Sequence, residues 1–347
     1  MKIRIFFPLI LFLCINISAQ RRDFSKWDHT AFCSYTRYHP HTYLKSDNNW
    51  DILQELRTPQ TRQHLDSIGI KTTNSQMMLL RIEGFIEQEG NKWVSLIPIL
   101  DSLQTVEARS FSLDVARNIY PNIKKHCSML VDFLKEEKLS ESIYTILFSY
   151  ILDGEIWKHF NSYEDLKTSA TWAGECWALY TPRKFASGTN SYNNFNVCWS
   201  ENQPEYVWKE LNYTTFINPF LKEYKLNGKI VSSDMCRKAL ALGLVEKDGS
   251  LRIPIINSKD QNSKLNVFSN KIIEPIVQYF NSTDIVGDFQ KAFGIHIDKK
   301  KLACTMLYHE VMWDLIDLLL ADNVIEYPNL WINKDKKFIN SIVYIEE

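Results

Sequence analysis

The residues best placed to do chemistry in this sequence are Tyr308, His309 and Glu310, because an imidazole followed by a carboxylate on a helix begins the ligand set of a zinc hydrolase. That motif needs a second histidine one turn further along the same face, and position 313 is Trp. No metal is expected there. The surrounding pattern gives His309 another role, since Leu302, Met306, His309, Trp313, Ile316 and Leu320 recur at helical spacing and put the imidazole on a buried stripe. Tyr150 takes the same place on the stripe Ile143, Leu147, Tyr150, Gly154 and Trp157. Each buried polar group is then predicted to bond a neighbour inside the core. The competing assignment makes His309 and Glu310, with Tyr150, an acid/base set acting on a bound ligand, as in a hydrolase or lyase.

Aromatic side chains are the second resource. Residues 160–216 hold Trp172, Trp177, Trp199 and Trp208, four of the ten tryptophans, with turn-forming runs of Gly, Thr, Asn and Ser between them. Such rings either form the core of a small sheet or, together with Trp93, offer a binding surface. Cys176 and Cys198 flank strand-like sequence in this segment and are the expected disulfide pair. Cys127, Cys236 and Cys304 lie in helical patterns, where a buried free thiol is the commoner state. His39 and His41 flank Pro40 without a third ligand nearby in sequence, so a metal site is not expected. There is no G-x-S-x-G elbow, P-loop, G-x-G-x-x-G or C-x-x-C, and no cofactor is anticipated.

The elements that must position these groups come in two sets. Gly69 to Gly90 aligns without a gap on Gly228 to Gly249, at an offset of 159, and Gly69, Gly84 and Gly90 fall on Gly228, Gly243 and Gly249 in a chain with 11 glycines. Ile97-Pro98-Ile99 then recurs as Ile253-Pro254-Ile255. Val115, Ile119 and Ile123 match Ile272, Ile276 and Phe280, one apolar helix face in each half. A weaker match sets Trp27 and Tyr35 against Trp172 and Tyr180. Within each set, short helices, a glycine turn, a helix beginning near Asn74, and a hairpin about Glu89-Gly90-Asn91 follow in order. The counterpart hairpin turns at Asp248-Gly249.

Helix, turn, helix, hairpin resembles the winged-helix superfold over about 45 residues of each half, judged by the order of elements. The resemblance implies an α+β protein of two winged-helix-like repeats with helical extensions, joined by an aromatic strand-rich segment. The expected boundaries are 1–19 for a signal peptide, 20–161 for the first repeat with its lead-in and 162–347 for the second. DNA reading would require base-contacting cations on the second helix of the motif, and the two helices offer only Arg81, then Arg237 and Lys238. Nucleic acid is therefore not an expected partner.

Export is read from the first residues, where Lys2 and Arg4 precede an apolar run from Ile5 to Ile15 and a small-residue stretch ending at Ala19. That run is well short of the roughly 20 residues that span a bilayer. Its removal leaves 38 basic against 41 acidic residues, too balanced to hold a phosphate backbone. The expectation is a periplasmic or extracellular protein, binding or scaffolding rather than catalytic, whose partner is a protein or envelope component.

Overall fold

The computed structural model describes residues 23–160, 169, 171–295, 299–334, 339 and 342–346. The expected signal peptide and the boundary expected at 161/162 lie outside them. The fold is α+β, with small sheets among many helices. Among the described residues no helix is long and apolar enough to cross a membrane.

Strand β1 (Trp27–Tyr35) leads into short helices α1 (Pro40–Lys45), α2 (Asn49–Glu55) and α3 (Arg62–Ser67). Helix α4 (Asn74–Ile82) starts on a capping box, in which the Thr73 hydroxyl accepts from the Gln76 N–H and the Gln76 side chain reaches back to Thr73. The hairpin β2 (Ile86–Glu89) and β3 (Lys92–Ser95) follows, then β4 (Ile99–Leu100), the long helix α5 (Ser102–Glu136) and β5 (Trp172–Tyr180). The second half runs β6 (Ser187–Tyr192), β7 (Phe195–Ser200), α6 (Glu205–Glu210), α7 (Asn218–Asn227), α8 (Ser233–Ala241) and β8 (Ile255–Asn257). It ends with α9 (Lys264–Ser282), α10 (Ile285–Phe293), α11 (Lys300–Ala321), α12 (Asn329–Ile332) and β9 (Ile342–Glu346).

The glycine landmarks adopt the same conformation in both halves. Gly69, Gly84 and Gly90 have φ of 86°, 72° and 63°, and Gly228, Gly243 and Gly249 have 68°, 74° and 83°, the left-handed region in which a Cβ is costly. The bends at Gly84 and Gly243 close with matching bonds: Gly84 N–H to Arg81 O (3.0 Å) and Phe85 N–H to Leu80 O (2.8 Å), against Gly243 N–H to Leu240 O (3.0 Å) and Leu244 N–H to Ala239 O (2.9 Å). The matched stripes Val115, Ile119, Ile123 and Ile272, Ile276, Phe280 are all buried.

Sheet order also recurs. One sheet is β1-β5-β4 and the other β6-β7-β9-β8. In each, a central strand from the end of its half is antiparallel to an earlier strand and parallel to the short strand after the Ile-Pro-Ile run. The Pro98 carbonyl accepts from Ala178 N–H at 2.9 Å, and the Pro254 carbonyl from Tyr344 N–H at 3.0 Å. By this criterion β1 corresponds to β7 and β5 to β9. The weaker sequence match of Trp27 and Tyr35 to Trp172 and Tyr180 has a different meaning: those strands are hydrogen-bonded partners, with Trp27 opposite Tyr180 and Tyr35 opposite Trp172. The aromatic segment is likewise divided, β5 lying in one sheet and β6 and β7 in the other.

The chain forms two compact units. Of the described residues, the first takes those within 23–111, 169–183 and 285–308, and the second those within 112–160, 184–284 and 309–346. The first unit is built on a core of Trp27, Trp50, Leu53, Leu65, Leu80, Phe85 and Trp172. In the second, β7 and β9 bury Phe195, Val197, Ile342 and Val343.

Candidate functional site

Two side-chain groups carry unusual chemistry, one in each unit. In the second unit, residues Ile146–Leu152 form a π-helical segment that closes with Asp153 N–H on Phe148 O at 2.8 Å. Gly154 permits the exit, because a Cβ there would stand 2.5 Å from the Tyr150 carbonyl oxygen. A widened turn of this kind re-aims its side chains, and π segments often mark functional positions. Here it presents Ser149, Tyr150 and Asp153, all from an otherwise apolar run.

Opposite them stands His309 of α11, only 6 % exposed, its Nε2 3.7 Å from Asp153 Oδ1. Trp157 and Trp313 enclose the imidazole, with ring centroids 5.2 and 5.9 Å away. The Trp313 indole N–H is fixed by the Ser187 carbonyl at 2.9 Å. Thr189 Oγ1 donates to Ser149 Oγ at 3.0 Å. Burial raises the Asp153 carboxyl above the ordinary range against the opposing pull of His309, Thr189 and Trp157. Burial also pushes the Cys198 thiol far up, against a hydrogen bond with Ser149, so it is no nucleophile.

The three residues singled out in sequence therefore do not act on one point. Tyr150 donates to Asn266 Oδ1 at 2.6 Å, while Asn266 Nδ2 donates to the carbonyls of Asn257 and Asp260 at 2.9 and 2.8 Å. Glu310 is fully buried and lies about 100° round the helix from His309. On the same helix, Asp314 accepts from the Ser112 hydroxyl at 2.6 Å. The neighbour that the sequence did not assign to His309 is Asp153, which caps the π segment that contains Tyr150. At 3.7 Å the Asp153–His309 pair is an electrostatic contact longer than a hydrogen bond, and both side chains are largely buried.

In the first unit three imidazoles gather at the start of the chain. His29 on β1 lies 6.0 Å from His41, and His41 lies 4.5 Å from His39, between ring centroids. His29 Nε2 donates to the Phe24 carbonyl at 3.2 Å, which leaves its buried Nδ1 an acceptor without a partner. His41 Nε2 is likewise buried and unpartnered. Burial depresses His29 to about 4 and His41 to about 3, so both rings are neutral at pH 7. Among the described residues no group of three or more His, Cys, Asp and Glu is arranged to hold a metal ion.

The aromatic candidates separate by place. Trp172 and Trp177 are buried in unit-one packing and are not available to a partner, which corrects their assignment as binding residues. Their strand β5 is the central one of its sheet, covered on both sides by β1 and β4. Trp93 packs partly against the same core. Trp199 is half-buried over Gly188, where a Cβ would meet its ring at 2.7 Å, and only Trp208 stands exposed. The expected Cys176–Cys198 bridge is absent. Cys176 lies on β5 and Cys198 on β7 in a different sheet, so their proximity in sequence does not become a disulfide.

Sequence reasoning did not foresee the outer face of α4. Met77 and Leu80 of this helix are buried, whereas Met78, Leu79 and Ile82 are exposed on one side. The signal was present in the sequence, since a helix apolar on both faces has more apolar residues than one core needs. Comparison of this chain with protein-family models, with curated proteins and with solved structures finds no match.

Proposed function

We propose that this is an exported, non-enzymatic binding or scaffolding protein, built from duplicated winged-helix-like modules, whose partner is a protein or envelope component. The observation that carries this reading is a contrast in exposure. The groups best suited to catalysis, His309 and Glu310, are sealed in the core, while α4 spends three large apolar side chains on solvent. An apolar face that the fold does not need for its own core marks an interaction surface. Recognition through Met78, Leu79 and Ile82, flanked by the β2–β3 hairpin, would bury them against an apolar surface of the partner.

The test sets two variants of the whole protein side by side in its own envelope fraction, with a photo-crosslinker at Ser75. Met78→Glu combined with Ile82→Glu is expected to abolish the specific crosslink while leaving thermal unfolding within about 0.5 kcal/mol, as for exposed positions. His309→Phe is expected to keep the crosslink. Loss of binding or turnover in folded His309→Phe, with the double glutamate variant unaffected, would overturn the reading in favour of an enzyme site.

A further inference from the structure

The turn between α7 and α8 carries features that its own duplicate lacks. Leu226, at the end of α7, is 80 % exposed, and Val231, just beyond the Gly228 bend, is 57 % exposed. Glu223 ties the end of α7 to the start of α8: its carboxylate accepts from the N–H groups of Val231 (2.6 Å) and Ser232 (2.5 Å) and from the Ser232 hydroxyl (2.8 Å). Glu223 lies one turn before Leu226 on α7, so these bonds tie the segment that carries Val231 to the last turn of the helix that carries Leu226. Hydrogen bonds from Ser232 and Val231, outweighing burial, keep the Glu223 carboxyl below its usual range and ionised.

Three lysines flank these aliphatics in sequence. Lys222, Lys225 and Lys229 are all exposed, against the single carboxylate of Glu223 within the same ten residues. Two further acids lie near: Asp248 feels the charge of Lys229 while its own oxygen accepts from Ser250, and Asp234 in the first turn of α8 is paired with Arg237 and Lys238. The equivalent positions around Gly69 are Gln63 for Lys222, Asp66 for Lys225, Ser67 for Leu226, Ile70 for Lys229 and Thr72 for Val231. Gly69 thus makes a left-handed bend in the first half without these side chains at the matched positions, one lysine position being acidic there. The bend does not require these side chains.

We propose that the α7–α8 turn docks on an anionic phospholipid surface, with Leu226 and Val231 entering the boundary between headgroups and acyl chains and Lys222, Lys225 and Lys229 meeting the phosphates. Two exposed aliphatics among three exposed lysines match that boundary in both layers, apolar below and anionic above. A soluble polyanion would use the lysines and leave the aliphatics in water. This inference does not rest on the proposed use of α4.

The experiment is cosedimentation of the purified protein with vesicles of equal parts phosphatidylglycerol and phosphatidylethanolamine, and with vesicles of phosphatidylcholine alone. Binding is expected to the anionic vesicles and to weaken as ionic strength rises from about 0.05 to about 0.5 M. Leu226→Ser with Val231→Ser, and separately Lys222→Gln with Lys225→Gln and Lys229→Gln, are each expected to reduce partitioning by about tenfold or more. Ile82→Ser, on the other exposed apolar face, is expected to leave it unchanged. All these positions are exposed, and an unchanged melting curve confirms folding. Equal binding to both vesicle types would overturn the proposal. So would loss on lysine replacement alone with full competition by heparin, which would assign the turn to a soluble polyanion.

Discussion

Gly90 and Gly249 occupy equivalent places in the two halves, yet the chain around them is built differently. Around Gly90, β2 and β3 form a ladder of four residue pairs, and Trp93 extends it by exchanging both backbone hydrogen bonds with Gln60 (2.9 and 2.7 Å). Around Gly249 the hairpin expected over Glu246 to Arg252 shrinks to one bridge between Val245 and Leu251, and the turn is held from outside by Ile230 N–H on the Gly249 carbonyl at 2.9 Å. What persists is the bend and the bonds on its inner side. Leu96 N–H meets the Phe85 carbonyl at 2.8 Å, and Arg252 N–H meets the Leu244 carbonyl at 2.9 Å. The difference separates what the core enforces from what the periphery is free to change. Helices show the same division, since α5 is continuous over 35 residues where α9 and α10 break between Ser282 and Ile285.

The buried stripe residues give the sharpest way to break the comparison. His309 and Tyr150 correspond at the offset of 159, and each meets a polar group, Asp153 in one case and Asn266 in the other. Asp153→Ala leaves His309 facing a cavity without its carboxylate. The expected loss is about 3 kcal/mol, as for a buried imidazole left without its polar neighbour, read by denaturant unfolding. A loss below about 1 kcal/mol would mean that the pair is not a structural element of the second unit and would return it to consideration as a reactive site.

A second test uses the glycines themselves. At Gly90 a Cβ would meet nothing within 4 Å, so Gly90→Ala should cost about 1–2 kcal/mol from the left-handed backbone alone. At Gly249 the same Cβ would collide with the Ile230 carbonyl oxygen, which cannot move without giving up the bond that anchors the turn. Gly249→Ala is expected to cost about 3 kcal/mol, combining backbone strain with a lost hydrogen bond. Equal effects at the two positions would show that the outer anchoring of the second turn contributes nothing.

Acid should distinguish the two units. His29 and His41 titrate near 6.5 in an unfolded chain but only at about 4 and about 3 when buried in the first unit. Their contribution is complete above pH 6.5 and is lost as pH falls toward 4, because the unfolded chain takes up protons that the folded unit refuses. Allowing for partial exposure, the sum is about 2 kcal/mol. Asp153 has the opposite sign: its raised carboxyl is protonated in the folded unit where the unfolded chain has already ionised, so acidification relieves the second unit. Hydrogen exchange at pH 7 and pH 4.5 should therefore show protection falling more at β1 than at β7. A fall that His29→Phe with His41→Phe does not diminish would place its origin elsewhere.

The sequence was legible where a physical constraint favours one residue type. Left-handed bends favour glycine, so the three landmarks stand out in both halves, although Asp47, Lys138, Thr181, Asn193 and Asn323 also take positive φ. The periodic stripes of α5 and α9 followed from burial of one face. Sheet assembly was not legible, because strand pairing joins segments far apart in the chain and a similar pattern, Trp27 to Tyr35 against Trp172 to Tyr180, fits an equivalent strand as well as a neighbouring one. The polar site was half legible. His309 and Tyr150 were visible as interruptions of apolar stripes, but Asp153 acquires its role from a π segment that helical periodicity of 3.6 does not anticipate.

The smallest expected effect tests whether Tyr150 is equivalent to His309 in energy as well as in place. Tyr150→Phe removes one hydroxyl and leaves Asn266 with both Nδ2 bonds intact but its Oδ1 without a donor. A neutral hydrogen bond of 2.6 Å, lost with its acceptor left buried, corresponds to about 1–2 kcal/mol. Asn266 also ties the loop containing Asn257 and Asp260 to α9, so the deficit should appear first as faster exchange of the amides from Ser258 to Ser263. A Tyr150→Phe protein as stable as the parent, with this loop unchanged, would mean that Asn266 is held by the loop alone. The two stripe positions would then share a sequence pattern without sharing a structural task.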